Sequence, residues 1–251
     1  MSGIVVGAAV LLALTLAPGI FVRSLSVARM RRLSRGKLVL TYDDGPSPVS
    51  PTPQILELLR THGARATFFV LGRRTHQSAG MCDRLAAEGH DIGAHGYAHR
   101  HGWKDPIRAV TDLVHGVKSV AGWRRGPPLY RPPYGKSTLW TLLAARSCGA
   151  RTVWWTLDSR DWWPTPPDIE NVVAQVEREH GGVVLMHDFE RSPESKGVQY
   201  TLALTDRLLR LAAQRRWTVC TVTELLGEAR GGDGHAQRWS AHGSGARAAD
   251  S

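Results

Sequence analysis

Acidic residues are missing from the first 42 positions, and the first to appear is Asp43. Charge of either sign is missing from residues 4–22, IVVGAAVLLALTLAPGIFV. That run approaches the roughly 20 apolar residues needed to cross a bilayer, and a charged segment follows it. A buried core helix is thereby disfavoured. A cleaved signal peptide normally opens on a basic segment, which Met1-Ser2-Gly3 does not supply, so an uncleaved anchor is the better reading. Cysteine is scarce. Cys82, Cys148 and Cys220 lie far apart, are odd in number and form no CxxC pair, which excludes a disulfide framework and a cysteine zinc site. They read as small apolar residues.

A basic body is also missing, despite a formal net charge of +10. Arg23, Arg29, Arg31, Arg32, Arg35 and Lys37 sit together without an acid, and the tail from Ala229 adds Arg230, Arg238 and Arg247 against Asp233 and Asp250. The body between them is close to neutral, which excludes a nucleic-acid partner, since that function needs a clustered basic face.

What is present from residue 38 is alternation. Strand-like runs fall at 38–42, 66–71, 91–94, 151–157, 182–186 and 217–221. Helix-like runs fall at 53–62, 80–88, 107–121, 137–147, 168–179 and 199–214. This order predicts parallel strands covered by helices, as a barrel or a doubly wound sheet. Residues 229–251, rich in Gly, Ala and Ser, are expected to be disordered.

The polar residues gather where such folds place function, at the carboxyl ends of strands. LVLTYDDGP runs a buried strand into Asp43 and Asp44, and unpaired charge there is costly, so a metal or a basic partner is expected. His95 and His99 follow DIGA, Asp158 and Asp161 follow RTVWWTL, and His187 and Asp188 follow GVVLM. Arg131-Pro132-Pro133-Tyr134-Gly135 ends a short PLY segment. HGYAH places two imidazoles four residues apart but lacks the glutamate of an HExxH protease motif. Two histidines with an aspartate suit a catalytic zinc site with an open position. The same set also serves non-haem iron oxygenases.

TYDDGP, HGYAH, RPPYG, DSRDW and LMHD occur in the order and rough spacing of the polysaccharide deacetylase (NodB-homology) family, carbohydrate esterase family 4, which the sequence resembles over about residues 37–227. The resemblance implies an α/β fold, a distorted, incomplete (β/α) barrel, here with an N-terminal apolar helix. It implies a metal-dependent hydrolase that removes acetyl groups, mainly N-acetyl, from amino sugars or polysaccharides. The metal is a divalent ion, zinc first and cobalt second. Asp44, His95 and His99 resemble its ligands, and Asp43 the general base. Arg131 resembles the arginine that orients that base. The Tyr134 backbone N–H resembles the oxyanion donor. His187 resembles the general acid and Asp161 its partner. Trp162 and Leu185, with Tyr134, resemble the residues that hold the acetyl group.

Gly96 stands where the family usually has Ser or Thr, so a hydroxyl that would brace the loop is missing, and Arg100 stands where a Pro is common. His101 reads as a solvated surface histidine, and Trp154 and Trp155 as strand residues facing opposite ways. Trp103, Trp162 and Trp163 suit stacking on sugar faces, and Asp158 a supporting acid or a cap.

The chain thus divides into residues 1–36, an anchor or signal segment with a basic linker; 37–228, the catalytic domain; and 229–251, the tail. A monomer is expected. The alternatives are a non-haem iron oxygenase and a catalytically inactive glycan-binding module, neither of which explains why Asp43, Arg131 and His187 are all present. Cations follow the apolar run and none precedes it, which favours a cytoplasmic-facing domain over an extracellular one. That orientation points to a lipid-linked or soluble precursor sugar as substrate, and the short RHGWKDP and WWPTPP loops fit a small sugar as well as a polymer.

Overall fold

The computed structural model describes residues 2–49, 51–189 and 197–228. The expected disordered tail, 229–251, lies outside the described residues. The chain opens with α1 (Ser2–Leu33), then β1 (Lys37–Asp43), α2 (Thr52–Thr61), β2 (Thr67–Val70), α3 (Gly72–Thr75), α4 (Ala79–Ala87) and β3 (Asp91–Ala94). There follow α5 (Pro106–Ser119), β4 (Leu129–Tyr130), a 3-10 turn (Pro133–Gly135), α6 (Leu139–Ser147), β5 (Arg151–Thr152) and β6 (Leu157–Asp158). The last elements are α7 (Ile169–Arg178), β7 (Gly181–His187), α8 (Gly197–Arg215), β8 (Thr218–Val219) and α9 (Val222–Glu228).

All strand pairs are parallel, in the order β5-β4-β3-β2-β1-β7-β6, with β8 beside the start of β1. Nothing pairs β5 to β6, so the sheet curls into a half-barrel left open there. The strand-then-helix order read from the sequence is the order found, and the barrel replaces the doubly wound alternative.

Two runs were read as longer strands than they form. The expected strand over 151–157 is two short pieces, because Val153–Thr156 crosses the barrel's open side. There the Trp154 indole donates to the Gly135 carbonyl, and Thr156 binds the backbone of Val183. The run at 217–221 shrinks to two residues, because it pairs only with the first two residues of β1. The apolar run at 4–22 and the basic stretch after it form one helix.

Alternation along β1 sets the architecture. Leu38, Leu40 and Tyr42 join the core between sheet and helices, while Val39 joins a second cluster inside the curl with Phe69, Leu129, Val153 and Val183. Successive side chains face opposite ways, so Thr41 and Asp43 share the inner face with Val39. On β7 the inner positions are Val183, Leu185 and His187 by the same rule. Met30 of α1 and Val222 and Leu225 of α9 complete the inner cluster. Above this apolar floor the inner face turns polar.

Candidate active site

β1 and β7 run in register, and Asp43 is the residue opposite His187. Each has its own buried counter-ion. Arg131, fully buried just past β4, donates from Nη1 to Asp43 Oδ1 at 2.9 Å and to Thr41 Oγ1 at 2.8 Å. Its guanidinium lies 4.1 Å from the centre of the Phe69 ring, against which its remaining nitrogens pack without hydrogen bonds. Burial pulls the Arg131 pKa down, and the charge and hydrogen bond of Asp43 oppose that pull. An arginine remains cationic under such opposition, given its very high starting value.

His187 Nδ1 lies 2.8 Å from Asp161 Oδ1, and the His187 backbone N–H donates to Asp161 Oδ2 at 2.7 Å. Thr201 of α8 donates to the same oxygen at 2.9 Å. Burial alone would lower the His187 pKa, but the Asp161 charge and hydrogen bond, with smaller help from Asp44 and Asp43, push it up to about 9. Burial raises Asp161, yet the His187 interactions and the Thr201 hydrogen bond outweigh it and hold its carboxyl below the ordinary range.

Asp44, His95 and His99 form the third group. Asp44 Oδ1 lies 3.6 Å from His95 Nε2 and 3.4 Å from His99 Nε2, and one ligand atom from each residue falls within 4.8 Å of the others. The His95 Nδ1–H donates to the Arg131 carbonyl at 2.9 Å, which leaves Nε2 as the lone-pair nitrogen, with Asp44 Oδ1 and Asp43 Oδ2 each 3.6 Å from it. Two imidazoles and a carboxylate, one tautomer already fixed, fit a divalent cation of borderline softness. Asp44 and His99 both adopt positive φ, 77° and 63°, a costly conformation for residues with side chains.

That strained loop is held from the following helix. Asp112, on the buried face of α5, accepts from the Ala98 N–H at 2.6 Å and the Arg100 N–H at 3.3 Å. It supplies the brace that the missing hydroxyl at Gly96 was expected to withhold. Gly96 is moreover required, since its φ is +77° and a β-carbon there would overlap the Asp112 carboxylate. An acid at 112 within the buried stripe 109, 112, 113 and 116 was the available signal. Asp188, the acid just past β7, supports the same site from the other side. It is fully buried and accepts from the Gly45 N–H and the Thr52 hydroxyl, both at 2.9 Å, and so ties the Asp43-Asp44 turn to α2. Burial raises its pKa to about 7, with hydrogen bonds from Thr52 and Gly45 opposing and the charges of Asp44 and Asp43 adding.

The remaining expected residues are placed as follows. Leu185 is buried opposite Thr41 on the inner face. Tyr134 has φ 57° and an exposed side chain whose ring sits 4.4 Å from that of His99. Trp162 is exposed after β6, edge-on to Trp163. Asp158 accepts from the Arg160 N–H, a local turn. Trp154 is buried and Trp155 half-buried beside Arg131. His101 is not a freely solvated histidine. Its ring stacks on Tyr134 at 4.8 Å, its Nδ1 accepts from the Trp103 N–H, and burial together with Lys104 and Lys136 lowers its pKa.

The family model described as polysaccharide deacetylase matches residues 31–153. A peptidoglycan-N-acetylglucosamine deacetylase of Bacillus cereus is 32% identical over 194 residues, 75% of this chain and 87% of that protein. A peptidoglycan-N-acetylglucosamine deacetylase of Listeria monocytogenes is 31% identical over 194 residues, and the match spans only 39% of that longer protein. Among solved structures, the family 4 carbohydrate esterase from Streptomyces lividans in complex with acetate superposes with a TM-score of 0.61 at 30% identity, covering 72% of this chain and 90% of that one.

Proposed function

Because the chain belongs to the polysaccharide deacetylase family, we propose that its strand-end pocket hydrolyses the acetamide of an N-acetylated amino sugar. The observation that carries this reading is the pair of separately counter-charged groups at one level of the sheet, Asp43 with Arg131 and His187 with Asp161, next to the Asp44, His95 and His99 cluster.

In this reading Asp44, His95 and His99 hold a divalent ion, zinc with cobalt able to substitute. Such an ion would bring the pKa of water toward ~7 and polarise the acetyl carbonyl. Asp43 accepts the proton of the attacking water, and the hydrogen bond from Arg131 holds Asp43 aimed. The Tyr134 N–H donates to the oxygen on which negative charge develops. His187, held protonated by Asp161, gives its proton to the departing nitrogen as the C–N bond breaks. Water is consumed, and acetate and a free amino sugar leave. Leu185 and Trp162 enclose the acetyl methyl.

The oxygenase alternative leaves Asp43, Arg131 and His187 without work and falls with the family assignment. An inactive module would not need both counter-charged pairs. Measuring acetate release from a panel of N-acetylated glycans tests the reading. The wild type should release acetate, and Asp43→Asn and His187→Ala should each release about 10²-fold less or lower still.

Residues 37–228 form the catalytic body in this proposal, a monomer, with residues 1–36 tethering it to a membrane. One window of α1, Leu12–Leu33, is long and apolar enough to cross a bilayer. The cations that follow the apolar run favour a cytoplasmic body. A phosphatase fused after residue 228, active only outside the cytoplasm, should then be silent in intact cells, and light scattering should give a monomer mass.

A further inference from the structure

α1 leaves the body in an informative direction. Its second half is docked along the barrel. Gly19 meets the Ser137 backbone so closely that a β-carbon would overlap it, Arg23 packs 5.2 Å from the centre of the Trp155 ring, and Met30 enters the inner cluster. Leu33 then turns directly into the start of β1. The helix therefore runs antiparallel to the strands. Its end lies at their amino edge and Gly19 at the level of the segment after Tyr134, on the rim of the candidate site. The same helix continues back to Ser2, so the preceding 17 residues, about 25 Å of helix, project past the rim on the side where the site opens. Arg23, Arg29, Arg31 and Arg32 all belong to the docked half, so of the Leu12–Leu33 candidate span only the part ahead of Arg23 is left for the bilayer, together with the apolar residues that precede it.

The rim itself is apolar and basic. Outside α1, every large apolar side chain left exposed among the described residues, Leu143 excepted, stands on a segment that follows a strand's carboxyl end. Val49 follows β1, Trp103 and Ile107 follow β3, Tyr134 and Trp140 follow β4, and Trp162 and Trp163 follow β6. Four of these are tryptophans and one a tyrosine, the side chains favoured at a membrane–water boundary. Ile107, 81% exposed, has no sugar-stacking surface to offer. Cations stand among them: Lys136 Nζ lies 4.2 Å from the centre of the Trp103 ring, and the Arg160 guanidinium 4.7 Å from that of Trp163, with Arg100 and Lys104 alongside. The acids on the same segments are engaged inward or locally. Asp105 and Asp168 accept helix N–H groups, Asp158 accepts the Arg160 N–H, and Asp161 holds His187. Between α1 and this rim lies a cleft of about 550 Å³ lined by Ile20, Arg23, Val27, Arg31, Trp103 and Lys136, with Arg31 also paired to Glu179.

We propose that the mouth of the site faces the bilayer that holds the first half of α1, and that the sugar it deacetylates is carried on a membrane lipid through a phosphate or diphosphate. The substrate assignment rests on the deacetylase reading. The geometry holds on whichever side of the membrane the body lies. Trp103, Trp140, Trp163 and Ile107 enter the headgroup region, the rim cations meet anionic headgroups, and the cleft beside α1 takes the phosphate between Arg23 and Lys136. The lipid chain runs back along the exposed Ile20 and Phe21 into the bilayer. A sugar presented this way reaches the site from the membrane side.

Two measurements on the full chain in phosphatidylcholine–phosphatidylglycerol vesicles test this. In the first, a bimane is attached at Trp140→Cys on the rim or at Gly122→Cys at the opposite end, in a Cys148→Ser background, with brominated lipid as quencher. Strong quenching at 140 and little at 122 is expected. Equal quenching, or stronger quenching at 122, overturns the orientation. In the second, acetate release is compared for N-acetylglucosamine on polyprenyl phosphate in the vesicles, for soluble N-acetylglucosamine 1-phosphate and for soluble chitotetraose. The expectation is a kcat/KM at least 10-fold higher for the lipid than for either soluble sugar, with Ile107→Ser lowering that ratio. A phosphate-bearing soluble sugar as good as the lipid overturns the lipid carrier, and chitotetraose as good as the lipid overturns the substrate class. Acetate from none of the three overturns the deacetylase reading and the substrate with it, while the quenching pattern still decides the orientation.

Discussion

The Arg131 guanidinium donates to the Asp43 carboxylate at 2.9 Å across 88 residues of sequence, with both side chains buried. Removing one member of such a pair leaves an uncompensated buried charge. Arg131→Met is expected to lower stability by about 3–5 kcal/mol. It should also lower turnover by roughly 10²-fold, since the base loses its partner. Urea unfolding and initial rates on the same preparation check both. Arg131→Lys keeps the charge and a nitrogen able to donate to both Thr41 and Asp43, but it is shorter and loses the planar guanidinium packed on Phe69, and should fall between.

Asp43 and Asp44 adjoin in sequence and each has an oxygen 3.6 Å from His95 Nε2, but Asp43 is bonded to Arg131 while Asp44 lies beside His99. Asp43→Asn should keep stoichiometric metal and lose about 10²–10⁴-fold in turnover. Asp44→Ala should lose the metal as well. Elemental analysis of the two variants separates them, and equal metal loss in both would reject the division of roles.

If His187 is the general acid proposed above, its pKa sets the alkaline limit. An acid that must be protonated works below its pKa, so activity should fall as pH rises toward about 9. A cation beside Asp44 offsets the smaller upward pull of Asp43 and Asp44, which places the limb between ~6.5, the ordinary histidine value, and that figure. Asp161→Asn removes the main upward pull and should move the limb down. The stability contribution has the same sign. A histidine raised on folding stabilises fully below its unfolded pKa, and that stability is lost as pH rises through the folded value. Profiles of kcat/KM and of urea midpoints against pH, for both proteins, check these shifts.

Asp112 carries, through the Ala98 and Arg100 N–H groups, the loop on which His99 sits. Asp112→Ala should weaken metal binding by about 10–100-fold, the usual cost of losing support behind a ligand. Asp112→Asn, which retains one acceptor oxygen, should lose less. Competition against a chelator measures both, and unchanged affinity in Asp112→Ala would show that the loop holds itself.

The strand-end residues were legible because each is local in sequence. An apolar run closing on Asp43-Asp44, on His95 or on His187 announces a strand and its functional end together, and short motifs keep their order whatever the loops do. The braces were illegible for the opposite reason. Asp112 reaches the HGYAH loop from the next helix, and Asp188 ties to Gly45 and Thr52 from more than 130 residues away, so neither has a neighbour in sequence that reveals its partner. RTVWWTL looked like one strand because propensity is local. Whether a β-prone run pairs depends on a neighbouring strand, and at the barrel's open side there is none to pair with.

The sequence by itself determined the parallel βα order, the apolar first helix and which polar residues would gather at strand ends, because periodicity and motif spacing are properties of the chain. Only the tertiary structure decided that Asp43 is opposite His187, that Arg131 reaches under β1 and that α1 points its free half past the mouth of the site. Those are relations between segments, fixed by strand register and by the close packing of Gly19 on Ser137 and Met30 in the inner cluster, and no single segment encodes the position of another.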